Sequence, residues 1–263
     1  DKGQWVSRDD VWYKGVVTAT GSRWLGVSSG RIGPELGFGR MVGNHHEDSV
    51  LILKTSQGNR SLGWDFLPPG SEQYEYDGKI YAGYKQSPES WGKGTEPKPI
   101  NWYAGKQYDD CFGTAHEVLN NFDEQFPQWK GRGYEIVGFA WWQGDKDRYN
   151  AGHASRYEKN LVHLIKTLRK EFKAPKAKFV VATLGQTVKD SAEENEKLIL
   201  DAQLAVAGTA GKYPEFKGNV ATVYTHPLSQ GGASNSHYDG NAQTYMDIGL
   251  AMGESMVKLL EGK

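Results

Sequence analysis

Cysteine is nearly missing from this chain of 263 residues. Cys111 stands alone, so no internal disulfide can form and the redox compartment stays open. Long apolar runs are missing too: no stretch of 18 apolar residues occurs, which excludes a membrane-spanning helix. Charge of one sign is not in excess, with 31 Lys and Arg against 32 Asp and Glu, so neither a nucleic-acid footprint nor a polyanionic tail is indicated. There is no HExxH and no cysteine cluster. His45 and His46 are adjacent and do not easily face one ion, while His116, His153 and His163 show no ligand spacing. No G-x-G-x-x-G follows a strand and no Walker loop is present, which argues against nucleotide chemistry. Neither a metal nor a cofactor is expected. The opening DKGQWVSRDD is not a signal peptide, although a mature exported chain would also lack one, and a secreted or periplasmic location is the expectation.

What is present begins with the stretch YEIVGFAWWQGDKDRY, residues 134–149. Glu135 to Trp142 is a short apolar run rich in Val, Ile, Phe and Trp, as a buried strand of an α/β sheet would be. Its end flips to Gln143-Gly144-Asp145-Lys146-Asp147, and polar side chains at the carboxyl edge of a buried strand are where open α/β sheets place their chemistry. The first 30 residues suggest short strands or an ordered loop. Gly33-Pro34 opens a short helix with Leu36, Met41 and Val42. Ser49 to Lys54 reads as a buried strand that delivers Thr55-Ser56-Gln57-Gly58-Asn59 to a turn.

From Pro68 to Pro99 the composition shifts to Pro, Gly, Ser, Tyr and charge, the pattern of a long surface excursion on the substrate side, taken as residues 68–100. Helical spacing returns over Tyr108 to Phe126 and again over Tyr157 to Phe172. Phe179 to Leu184 is a further buried strand. A helix over Ser191 to Val206 has Ser191 as its cap and Glu194 completing a capping box. Val220 to Thr225 is the last strand, and a Gly/Ser loop leads to a helix from about Asn241 to Leu260. Strands alternating with helices predict a single domain over 1–263, three layers with a mostly parallel sheet flanked by helices. Nine Trp and 14 Tyr supply faces that suit sugar rings, although any one of them is more often core.

Four stretches carry a resemblance: RIGPELGFGRMVG at Arg31 to Gly43, LILKTSQGNRSLGWDFLPPGS at Leu51 to Ser71, WWQGDKD at Trp141 to Asp147, and SHYDGNAQTYMDIGLAMGESM at Ser236 to Met256. In order and spacing they are similar to the SGNH-type carbohydrate O-acetylesterases, the sialate-O-acetylesterase-like and acetylxylan-esterase-like group. The resemblance implies an SGNH hydrolase-like, flavodoxin-like fold. It also implies a serine-type acetylesterase acting on an acetylated carbohydrate through an acyl-enzyme; with charge balanced and no long apolar run, neither nucleic acid nor membrane is expected as a partner. His237, in the loop before the last helix, matches the family's catalytic base. Gly58 with Asn59 matches the block that supplies a backbone N–H to the oxyanion. Gln143 with Gly144 matches the block that supplies a side-chain amide and a second backbone donor, and donors of this kind are worth about 3–4 kcal/mol each.

Two departures accompany the match. The family's acid lies three residues before the histidine, where this chain has Ser234, so orientation of His237 falls to another carboxylate, Asp147 or Asp145. The family's nucleophile lies in a Gly-Gln-Ser block on the first strand, and no such block occurs. Ser7, Ser22, Ser28, Ser29 and Ser56 are present, and only Ser56 even weakly follows an apolar strand. The chain is then a portion of a larger enzyme, a subunit completed by an upstream peptide, or a catalytically silent carbohydrate-binding homologue. A sheet lacking that strand leaves backbone groups unpaired, and the expectation is that Gln4 to Val17 or a separate peptide fills the place.

Overall fold

A computed structural model describes residues 5–28 and 30–263. The chain is mixed α/β, and its strands fall into three small sheets rather than the one expected. The first has the order β2-β1-β3, from β1 (Val11–Val17), β2 (Ser22–Trp24) and β3 (Val50–Ser56); β1 runs parallel to β3 and antiparallel to β2. The third has the order β7-β8-β9, all parallel, from β7 (Gly138–Trp142), β8 (Lys178–Ala182) and β9 (Val220–Val223). Between them in sequence, the expected surface excursion carries a small antiparallel meander of β4 (Tyr74–Tyr76), β5 (Lys79–Tyr81) and β6 (Ser90–Gly92). Three-residue strands bounded by Gly and Pro give too short an alternation to be read locally.

Helices lie on both faces of the first and third sheets. α1 (Pro34–His45) and α6 (Ala242–Leu260) pack on one face: Val42, Ile248 and Met252 form a cluster with Val180 and Ala182 of β8, and Trp142 and Val50 lie against it. α2 (Lys106–Asn120), α4 (Ala151–Glu171) and α5 (Glu194–Ala205) take the other face. There Leu161, Leu164 and Ile165 of α4 meet Phe179 and Val181, and Val118 and Leu119 of α2 meet Leu51 and Leu53. Alternate residues of one strand therefore bury against opposite helix layers, as the two-residue period of a strand requires. A four-residue turn, α3 (Phe122–Gln125), ends the region read as one helix to Phe126.

Helix starts follow side-chain caps where these exist. Asn150 accepts from the His153 N–H at the start of α4, which begins at Ala151 and not at Tyr157, and Asn241 accepts from the Thr244 N–H at the start of α6. The capping box expected at Ser191 does not form. The Ser191 N–H turns back to the Val188 carbonyl, and α5 begins only at Glu194, behind an uncapped Glu193. Gln4 lies outside the described residues. Of the rest of the segment that was expected to fill a vacant sheet position, Val11–Val17 forms β1, which takes one edge of β3 and bonds β2 on its own far side.

Candidate functional site

The carboxyl ends of β3 and β7 converge through one buried carboxylate. Asp147 is fully buried, and its Oδ1 accepts the Gly63 N–H at 2.8 Å while its Oδ2 accepts the Leu62 N–H at 2.9 Å and Gln143 Nε2 at 2.6 Å. Gln143 Nε2 also donates to the Arg60 carbonyl at 2.9 Å, so the turn after β7 is clasped to the segment after β3 at three points. Burial pushes the Asp147 carboxyl up to about 6, against the three N–H donors, which favour the ionised form. Tyr157 of α4 donates its hydroxyl to the Gln143 carbonyl at 2.8 Å, and Gln203 of α5 donates to the same oxygen at 2.8 Å. The turn is thus held from below by both helices.

A second carboxylate ties in the last loop. Ser234 Oγ donates to Asp145 Oδ1 at 2.6 Å, and Arg148 Nε bonds the same oxygen at 2.9 Å while its Nη1 reaches Glu196 at 2.7 Å. Tyr238 stacks on Trp142 with ring centroids 5.7 Å apart, and its hydroxyl accepts the Gly185 N–H at 3.1 Å. His237 is therefore carried on a loop anchored on each side of it, beside the ends of β7 and β8. Its imidazole is exposed. His237, Tyr238 and Asp239 all adopt left-handed backbone, with φ of 54°, 52° and 52°, a run of non-glycine residues in a strained region at the candidate base.

The candidate residues are gathered at one edge but not all in the contacts expected. Neither Asp147 nor Asp145 bonds to His237: the first is consumed by the clasp, the second by Arg148 and Ser234. The position where the family has its acid is occupied by a hydroxyl that turns to Asp145 instead. Both N–H groups of the Gln143 amide are likewise spent on Asp147 and Arg60. The backbone donors are not spent: among the described residues, the N–H groups of Gly58 and Gly144 donate to no protein atom. Gly58 and Asn59 are exposed, with Asn59 at φ 56°, and Gly144 is buried at φ 149°, an angle only glycine holds without strain. Ser29 lies outside the described residues. Among the described ones, no seryl hydroxyl hydrogen-bonds to His237; Ser236 Oγ turns to the Ala233 carbonyl and Ser22 Oγ accepts from Trp12.

Sequence reasoning missed the rim formed by the excursion. Tyr74 donates to the Gly152 carbonyl at 2.8 Å, Tyr81 to Asn150 Oδ1 at 3.1 Å, and Glu89 accepts from Asn150 Nδ2 at 3.2 Å, all at the start of α4. Burial raises the Glu89 carboxyl and lowers His153, whose ring nitrogen lies 3.2 Å from Glu89, to about 4. These partners are 61 to 78 residues apart in sequence, and no local pattern marks them. Arg60 lies over Trp102, its guanidinium 4.6 Å from the ring centroid. Among the described residues, no group of three or more His, Cys, Asp or Glu is placed to hold a metal ion, and no helix is long and apolar enough to cross a membrane.

The architecture is that of an α/β protein whose polar turns gather at the carboxyl ends of parallel strands, the arrangement of an α/β enzyme. The profile of the family described as "Carbohydrate esterase, sialic acid-specific acetylesterase" matches residues 17–258, and the chain belongs to that family. Carbohydrate acetylesterase-type function follows at that level. A solved structure of a protein from Arabidopsis thaliana is similar in fold, with a TM-score of 0.56 and 16% identity over 95% of this chain and 82% of that one. No curated protein sequence matches the chain at a significant level.

Proposed function

We propose that this chain supplies the base, the oxyanion donors and the sugar-facing cleft of a serine-type carbohydrate O-acetylesterase. A seryl oxygen attacks the acetyl carbonyl as His237 takes its proton, and the tetrahedral oxyanion is met by the Gly58 and Gly144 N–H groups. Collapse breaks the ester bond, with the proton passing from His237 to the departing sugar hydroxyl. Water then hydrolyses the acetyl-enzyme by the same route, releasing acetate. The observation that carries the reading is the clasp. It holds two strand-end turns together while leaving one backbone N–H free in each.

One feature favours a second reading, a carbohydrate-binding homologue without catalysis: the His237 imidazole has no carboxylate partner and no seryl hydroxyl against it among the described residues. Acetate release from O-acetylated xylan and from O-acetylated sialic acid, compared between the protein and its His237→Ala variant, separates the two. The esterase reading expects kcat to fall by a factor on the order of 10³ with folding unchanged, as for an exposed loop base. Equal activity in a folded His237→Ala protein would place the base elsewhere. Binding of the sugar without acetate release would establish the silent reading.

A further inference from the structure

The outward face of α4 carries a row of side chains that the candidate site does not use. Arg156, Lys159, His163 and Lys166 recur at intervals of three and four residues, which sets them on one face of the helix, away from the core residues Leu161, Leu164 and Ile165. Opposite the row runs the start of the surface excursion, Gly70 to Tyr74, and the two enclose a groove of about 370 Å³, within the range of small-molecule sites. The groove begins at Arg156, about 8 Å along the axis from Ala151, the end of α4 where the His153 ring lies against Gly63. It is separate from the clasp.

The cations of the groove are only partly paired. Lys166 bonds Glu215 at 2.7 Å, whereas Arg156 and Lys159 form no ion pair among the described residues. The Arg156 guanidinium is held over the Tyr74 ring, 4.6 Å from its centroid, and Tyr74 is fixed in turn by stacking on Tyr81 and by its bond to the Gly152 carbonyl. Glu72 supplies a carboxylate on the same lining, so two unpaired cations stand against one anion and an excess of one positive charge remains. Polar groups without partners lie in the lining as well. Asn160 is 7% exposed and its Nδ2 meets no acceptor among the described residues; the buried Ser71 Oγ has no partner either. His163 Nε2 faces the Pro69 carbonyl at 2.8 Å, so it donates, and the neutral imidazole keeps Nδ1 as an acceptor. Buried polar atoms are normally satisfied, and two orphans in one cationic groove point to a ligand.

We propose that this groove binds an acidic sugar, a unit whose ring carries one carboxylate and several hydroxyls. Arg156 and Lys159 hold the carboxylate, the guanidinium through its planar fork. The sugar hydroxyls meet the remaining groups: they accept from Asn160 Nδ2, donate to Glu72 and to His163 Nδ1, and bond Ser71 Oγ in either sense. Charge and hydrogen-bond type both select this class of ligand. A single carboxylate matches the excess of one positive charge, whereas a phosphate dianion or a run of acidic peptide would set further negative charge against Glu72. A simple carboxylate lacks the hydroxyl donors that Glu72 and His163 Nδ1 call for. The site rests on these residues alone and not on the esterase reading.

The test measures heat of binding, so its outcome is independent of acetate release. Trigalacturonate is titrated against the protein beside xylotriose, which has the hydroxyls without the carboxylate, and beside inorganic phosphate and a glutamate hexapeptide, which have charge without the sugar. Saturable binding of trigalacturonate is expected, at least tenfold tighter than that of any of the other three, and weakened at least tenfold by Arg156→Gln and by Lys159→Gln. Lys159 is exposed, so its variant should stay folded and carries the test if Arg156→Gln does not fold. Lys130→Gln, at an exposed cation outside the lining, should leave binding unchanged. Equal binding of xylotriose, of phosphate or of the peptide would overturn the proposal. So would the absence of saturable trigalacturonate binding, or binding that survives loss of either groove cation in a folded protein.

Discussion

Asp147 and His153 are buried within six residues of each other, on opposite sides of Gly63, and their titrations oppose. Asp147 is raised from 3.8 to about 6, so it contributes stability that is fully present below 3.8 and lost as pH rises through 6. His153 is lowered from 6.5 to about 4, so its contribution is fully present above 6.5 and lost as pH falls through 4. At 1.36 kcal/mol for each tenfold change, either group alone is worth about 3 kcal/mol across that window. In the native protein the two therefore nearly cancel between pH 4 and 7. Asp147→Asn removes one side of the balance. It also leaves one acceptor oxygen where there were two, so the Leu62 or Gly63 N–H faces an amide NH2, a loss of about 1–3 kcal/mol. At pH 7 that loss is set against relief from burying a charge; at pH 4 it is not. The stability gap between the native protein and Asp147→Asn should widen by about 3 kcal/mol from pH 7 to pH 4, read from urea unfolding followed by tryptophan fluorescence. His153→Gln should show the reverse, with a gap that narrows on acidification. A gap for Asp147→Asn that stays constant or shrinks toward pH 4 would refute the assignment of Asp147 as a carboxylate held against its burial.

Other substitutions test the scaffold. Gly63→Ala would place a methyl group 2.5 Å from the buried His153 ring, and overpacking of about 1–3 kcal/mol should appear as a lowered thermal midpoint. Asn241→Ala removes the side-chain cap of α6 and should cost about 1 kcal/mol in the same assay; no change would mean that the cap is idle. Gly253→Ala should disturb the contact of α6 with α1, where a methyl group would stand 2.6 Å from Met41 Cβ and 2.9 Å from the Phe38 carbonyl, and near-UV circular dichroism would register the repacking.

The organising strand and its polar turn were legible because a buried strand and a Gly turn are local patterns, although the strand starts at Gly138 and not at Glu135. The His237 loop was legible through the resemblance, and α6 begins within a residue of where its cap places it. Asp147, expected with Asp145 as a candidate to orient His237, instead bonds Gln143 and the backbone N–H groups of Leu62 and Gly63, 85 and 84 residues away, which no side-chain pattern announces. Ser234 looked like a missing acid. In space it is the hydroxyl that brings the Asp145 carboxylate to this loop, a substitution of one polar link for another that only the fold reveals.

The first and third sheets are tied to each other through their helices. β1 and β3 take their helix cover from α1, and β8 and β9 take theirs from α6. These two helices form a close seam, in which a methyl group at Gly37 would stand 2.5 Å from the Met246 carbonyl and 2.6 Å from the Leu250 nitrogen. Glycine at such a seam lets the two backbones approach directly, which fixes the spacing of the sheets beneath them. On the edge where the strands end, the Asp147 clasp fixes the same spacing a second time. The candidate site lies at the carboxyl ends of β3 and β7 because the clasp is made from the same two turns that carry the free N–H groups.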